Sequence, residues 1–294
     1  MAKFDSRAQE SIIILDKFSA ADIDKWQEVH ERHFDHYWTE YSYYANERSK
    51  LASKIRKALL ESTSTYEFEN WFRVVTLQYS DKLLSAAGSR INITGGRFNF
   101  GQIDSAKYPV FSCLYIARDY DSAMAEKFSS STESKDGIKR EEFGGAIVSH
   151  STIRLSGQLE SVLDVTDSKN LKPFVNVIKK IAIPQQLVTS AKKSRLAVPD
   201  NIRTTTQLQN AIRDHNWAAN PAMLNIPSAS QIFGQIVHDA GIQGILYRSK
   251  HTEKVCLAIF PSNFENEDGQ VYLDDKAPDG VVFTLDKSTW KQLE

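Results

Sequence analysis

Apolar residues recur at three- and four-residue spacing, mixed with charges, through Ala20 to Tyr44, Glu47 to Glu61 and Tyr66 to Ala87, a pattern that predicts three helices. Ser19-Ala-Ala-Asp22 is a capping-box-like start, and no glycine or proline occurs before Gly88. Residues 1 to 86 therefore read as a helical front end. The texture then changes. Glycines appear at 95, 96, 101, 137, 144, 145 and 157, and short β-type runs follow at Val110 to Ala117, Gly145 to His150, Leu159 to Val165, Gly244 to Arg248, Lys254 to Phe260 and Val281 to Thr284. Helical patterns interleave at Tyr120 to Phe128, Ser168 to Ile181, Thr205 to His215 and Ser228 to Ala240.

Strands and helices do not alternate regularly, which argues against a doubly wound parallel sheet and for an α+β body with largely antiparallel pairing. The expected organisation is a helical extension over 1–86 and a catalytic body over 87–294. Ser129 to Gly137 is polar and low in complexity and reads as a surface loop; Pro184 to Arg203 reads as an irregular connection. There is no internal repeat.

Composition narrows the function classes. In 294 residues, 41% hydrophobic and 25% charged side chains are ordinary globular values, so wholesale disorder is excluded. Thirty-six Lys plus Arg against thirty-seven Asp plus Glu leave a formal charge of −1, so no global field favours nucleic acid. The run Ser11-Ile-Ile-Ile-Leu15 is too short for a signal peptide, and no stretch approaches the ~20 apolar residues of a membrane helix, so a cytoplasmic protein without a membrane partner is expected. The two cysteines, Cys113 and Cys256, each sit in an apolar run and read as reduced, buried thiols; neither a zinc site nor a disulfide framework is indicated.

The chemistry concentrates in Gly95-Gly-Arg-Phe-Asn-Phe-Gly101, then Leu114-Tyr-Ile-Ala117, then Asp119 to Glu126. Paired glycines let the backbone turn tightly and approach a ligand, and Arg97 directly after them offers a planar five-donor fork to a phosphate or pyrophosphate. Tyr115 lies in an apolar strand, and Glu126 follows eleven residues later on a helix, so Arg, Tyr and Glu can meet in one cleft. Singly, each has a plainer reading: a turn-bridging arginine, a core tyrosine, a solvated helix glutamate.

Taken together, Gly95-Gly-Arg-Phe-Asn99, Leu114-Tyr-Ile-Ala117, Ala123-Met-Ala-Glu126 and Gly244-Ile-Leu-Tyr-Arg-Ser249 resemble, in order, the motifs of the RES domain, the toxin of a bacterial toxin–antitoxin class. The resemblance spans residues 88 to 262. It departs from the family at Phe98, where Trp is commoner, and in the longer loop from Gln102 to Pro109. It implies a fold similar to ADP-ribosyltransferases and an activity that consumes NAD+ as substrate, with no prosthetic group. Carried onto this chain, it implies that Glu126 stabilises the oxocarbenium-like transition state at the ribose and that Arg97 holds the pyrophosphate. Tyr115 and Phe98 would shape the nicotinamide end, Gly96 would allow close approach, and Ser249 would donate to ligand or carboxylate. Water, inorganic phosphate or a protein side chain as acceptor would make it a glycohydrolase, a phosphorylase or an ADP-ribosyltransferase. A non-catalytic nucleotide-sensing module is the reading from another class. The implied partner is a cognate antitoxin with an Xre-type helix-turn-helix, and the extension is open to targeting, homo-oligomerisation or a different neutraliser.

Two further patterns mimic function. Glu265-Asn-Glu267 and Ser62-Thr-Ser64 match small motifs of some ADP-ribosyltransferases, but the first reads as a solvated turn and the second falls at a helix boundary. His30, His33 and His36 recur every three residues, which drifts ~60° per step around a helix, so all three would be strained as metal ligands. The same helix carries Trp26, Phe34, Tyr37, Trp38, Tyr41, Tyr43 and Tyr44, a packing or interaction surface.

Overall fold

The computed structural model describes residues 20–128, 149–276 and 279–294. The expected loop at 129–137 and all but the end of the apolar run at 145–150 lie outside these residues. The chain folds as two compact units, one of residues up to Asn46 with Ala182–Asp200, the other of Glu47–Ile181 with Asn201–Glu294.

In the first unit, helix α1 (Ala20–Lys50) carries the aromatic-rich stretch. His36 is buried with Nδ1 3.0 Å from Ser190 Oγ, His33 Nε2 lies 3.2 Å from Ser194 O, and the Tyr43 hydroxyl donates to Ala182 O at 2.8 Å. The histidines therefore serve three different environments, His30 being exposed. Among the described residues no group of three or more His, Cys, Asp or Glu is placed to hold a metal. The segment expected to be irregular after Pro184 contains a helix, Gln185–Lys193, with Pro184 as its N-cap residue.

The second unit begins with α2 (Ala52–Leu60), and its next element corrects the reading of residues 66 to 87 as helix: Thr63–Thr76 is a long strand, β1. It pairs antiparallel with β3 (His150–Asp164) over nearly its whole length, through two register shifts, and Asn70 at the second takes φ +56° while its N–H donates to Ser156 Oγ at 3.0 Å. The bulges break the two-residue alternation by which a strand is recognised. Ser62-Thr-Ser64 thus lies at the start of a strand. In the other mimic, Glu267 is engaged, accepting from Ser161 Oγ at 2.5 Å.

The remaining strands are β2 (Leu114–Ala117), β4 (Gly244–Arg248), β5 (Val255–Ile259), β6 (Gly269–Leu273) and β7 (Thr284–Leu285), in the order β1-β2-β5-β4-β3-β6-β7. Among these described strands only β3–β4 is a parallel pair, which matches the expected α+β class. Because β1 also pairs with β3, the hydrogen bonding returns on itself through β1, β2, β5, β4 and β3. Leu114, Ile116, Leu155, Leu257, Ile259 and Phe264 are among the side chains that fill the apolar cluster on this sheet. Full burial of each stabilises by roughly 1.5–3 kcal/mol, which makes the sheet a firm base for the loops at its ends.

Three helices frame the site. Helix α4 (Tyr120–Phe128), which follows a short α3 (Ala87–Ile91), leaves β2 after two residues, its start capped by Asp119, whose carboxylate accepts the Ser122 N–H at 3.1 Å. Past α5 (Ser168–Ile178) and α6 (Gln185–Lys193), helix α7 (Thr205–Ile212) opens with a capping box between Thr204 and Gln207. Beyond α8 (Ala219–Leu224), α9 (Ala229–Asp239) opens with another between Ser228 and Gln231, and α10 (Trp290–Leu293) ends the chain.

Candidate active site

The glycine–arginine turn is built from inside. Gly95 takes φ +75°, and a Cβ on Gly96 would lie 2.5 Å from the Tyr115 hydroxyl, so neither position has room for a side chain. Asn99, fully buried, organises the turn: its Oδ1 accepts from Gly96 N at 3.0 Å and from the Tyr115 hydroxyl at 2.8 Å, while Nδ2 donates to Ser89 O and Phe111 O, both at 3.1 Å. Tyr115 also accepts the Phe98 N–H at 2.9 Å, so the long Gln102–Pro109 loop does not part the strand from the turn. From the opposite side Gln231 Nε2 reaches Thr94 O at 2.6 Å and Gly96 O and Asn99 O at 3.1 Å.

Within this frame the Arg97 side chain is 5% exposed and, among the described residues, makes one hydrogen bond, a long one of 3.4 Å from Nη1 to Ile212 O at the end of α7. A guanidinium with five donors and so sparse a set of protein acceptors is suited to an anion. Phe98 is fully buried, its ring edge-on to Tyr247 with centroids 5.0 Å apart.

On the far side, Ser249 follows the end of β4 and is fully buried; its hydroxyl donates to Glu126 Oε1 at 2.6 Å. Burial, and after it the Glu126 charge, hold the Tyr247 phenol well above its usual range, with Arg97 pulling the other way. Burial likewise raises Tyr115, the Arg97 charge again opposing. Both phenols are therefore neutral, and Tyr247 lies within electrostatic reach of Glu126, Tyr115 and Arg97. Burial also pushes both thiols up, Cys113 and Cys256, which leaves them inert beside the site.

The sequence motifs thus converge: turn, strand, helix and the segment after β4 meet at one place. Sequence reasoning does not single out Asn99, Tyr247 or Gln231. The first two lie inside motifs already read, and their burial is the missing signal. Gln231 shows only as the fourth residue of Ser228-Ala-Ser-Gln231, a capping-box spacing whose further reach to a turn some 130 residues away has no local signature.

No curated protein matches the chain. Among solved structures, the crystal structure of the M. tuberculosis MbcT–MbcA toxin–antitoxin complex holds a similar chain at 14% identity, covering 82% of this chain and 96% of that one with a TM-score of 0.44. A model of the RES domain matches residues 70–277, well over half the chain and all four motif segments. The protein belongs to the RES domain family.

Proposed function

We propose that the protein is a RES toxin that cleaves NAD+ at the nicotinamide–ribose bond. The observation that carries this reading is the Ser249–Glu126 hydrogen bond of 2.6 Å, beside a neutral Tyr247 phenol on which the Glu126 and Arg97 charges both act. As the glycosidic bond breaks, nicotinamide leaves with the electron pair and positive charge grows on the ribose. Glu126, with Oε1 held by Ser249, places negative charge there and orients the incoming nucleophile. Arg97 exchanges its long bond to Ile212 O for charge-assisted bonds to the pyrophosphate. Tyr115 keeps the arginine turn in shape, and Gly96 leaves the room that the Tyr115 hydroxyl and Asn99 need to do so. The acceptor is water or inorganic phosphate, so the reaction is that of a glycohydrolase or phosphorylase, and loss of NAD+ arrests growth. The partner is an antitoxin that covers the site.

The test is nicotinamide release from NAD+ by the purified chain beside Glu126→Gln, with and without inorganic phosphate and with a lysate as acceptor. Release should fall on the order of 10²- to 10³-fold in the variant. Free ADP-ribose, phosphorylated ADP-ribose or a modified protein then identifies the acceptor. NAD+ binding without release under any condition would sink the catalytic reading and leave a nucleotide sensor.

A further inference from the structure

Ser122 and Glu126 stand four residues apart on α4, so their side chains lie on the same face, one turn above the other. Both meet the turn that joins β4 to β5. Glu126 takes the Ser249 hydroxyl, and Ser122 Oγ lies 2.7 Å from Thr252 Oγ1. The proton order of this second contact follows from the partners. Ser122 spends its one hydroxyl proton on Asp119 Oδ2 at 2.9 Å, so Thr252 is the donor to Ser122. Asp119 also receives the Ser122 N–H at 3.1 Å and the Lys254 ammonium at 3.2 Å, which fixes it as an acceptor. On the turn itself, the His251 and Thr252 N–H groups donate to Ser249 Oγ at 3.1 and 3.3 Å. With its lone pairs so occupied, the Ser249 proton has Glu126 as its acceptor.

We infer that Asp119, acting through Ser122 and Thr252, is a positioning residue for Glu126: the Asp119–Ser122–Thr252 chain holds the 249–254 turn so that the Ser249 hydroxyl keeps donating to one oxygen of that carboxylate. Helix capping accounts for the Ser122 N–H bond to Asp119, but not for the two hydroxyl bonds that continue from it to the turn. Ser122 and Ser249 are both fully buried, so water does not readily replace a missing partner. The inference rests on the NAD+-cleavage reading for its consequence, not for its geometry.

The experiment compares the full chain with Thr252→Val, which removes the hydroxyl, and Thr252→Ser, which keeps it. Two readouts are taken: nicotinamide release, resolved into kcat and KM, and amide hydrogen exchange at His251 and Thr252. Thr252→Val is expected to lose on the order of ten- to a hundredfold in kcat, as misplaced catalytic groups do, with KM within about twofold of the parent. Exchange at both amides should quicken, and Thr252→Ser should restore both readouts. Parental kcat in Thr252→Val, a KM change alone, or equal loss in Thr252→Ser would overturn the inference. If the parent chain itself releases no nicotinamide, the NAD+ reading has failed separately and exchange decides: unchanged protection in Thr252→Val overturns the positioning role, and faster exchange rescued by Thr252→Ser upholds it. Should Thr252→Val not fold, Ser122→Ala breaks the same link from the other side and is read the same way.

Discussion

The Tyr115 hydroxyl donates to Asn99 Oδ1 at 2.8 Å while accepting the Phe98 N–H at 2.9 Å, so a strand side chain closes the turn that presents Arg97. The arginine is aimed by a tyrosine and an asparagine that both spend their polar atoms on the protein.

Tyr115→Phe keeps the ring and removes that hydroxyl, leaving the Phe98 N–H without its acceptor. A buried group so stranded costs ~1–3 kcal/mol. Chemical denaturation should show a loss in that range, and nicotinamide release should fall with it because the Arg97 turn loosens. Unchanged stability would mean that the turn is held by Asn99 and Gln231 alone.

Gly234 sits inside α9, where alanine would ordinarily gain up to ~1 kcal/mol. Here a Cβ would lie 2.1 Å from Phe98 O and 2.6 Å from Phe98 C, both backbone atoms that cannot swing aside. The collision outweighs the propensity, and Gly234→Ala should destabilise by ~1–3 kcal/mol as overpacking does. A melting temperature equal to or above that of the parent would contradict this account of how α9 supports the turn.

Arg97→Lys preserves the charge and removes the fork. If Arg97 grips the pyrophosphate through paired bonds, losing one charge-assisted hydrogen bond weakens NAD+ binding by roughly ten- to a hundredfold. Titration calorimetry with NAD+ measures this when both chains also carry Glu126→Gln, so that binding is read without turnover. Parental affinity in Arg97→Lys would show that the arginine acts as a point charge or not at all.

His36 supplies a pH dependence in the first unit. Burial, and secondarily His33, lower its folded pKa below the ordinary histidine value. Glu40, 3.7 Å away, does not reverse this, because burial raises Glu40 toward its own neutral form. The folded state thus favours the neutral ring. Its stabilisation is complete above the unfolded pKa of about 6.5 and is lost as pH falls from there toward the folded value. Hydrogen-exchange protection of the α1 segment carrying His36, taken relative to the intrinsic rate at each pH, should fall as pH drops across that interval, and His36→Gln should remove the step. An equal step in both proteins would place its origin elsewhere.

Elements whose pattern is local are legible in the chain. Tyr120–Phe128 and Gly244–Arg248 appear with the expected bounds, and Val255–Ile259 and Ala229–Asp239 within a residue of theirs, because a short apolar run or a capped 3.6-residue period is a property of neighbouring residues. The site motifs are legible for a similar reason. Gly95-Gly-Arg permits a tight turn, and an arginine, a tyrosine and a carboxylate carry their functional groups with them.

Strand β1 is not legible. Thr63–Thr76 spaces its apolar residues like a helix because its bulges interrupt alternation, and what makes it a strand is its pairing with residues about ninety positions away. The helix within 182–200 is hidden in the same way, since it gains its partner only against His33, His36 and Tyr43. The sequence by itself thus determined the α+β class, many of the local elements and the four motif segments that the RES match covers, all of which depend on near neighbours. Tertiary structure alone decided that Asn99 and Gln231 would brace the turn, that Phe98 would face Tyr247 inside the body, and that of the acceptors left open for Ser249 the Glu126 carboxylate, 123 positions away, would be the one it meets. Those outcomes depend on which distant buried polar atoms must satisfy one another once water is excluded, and no local spacing encodes that pairing.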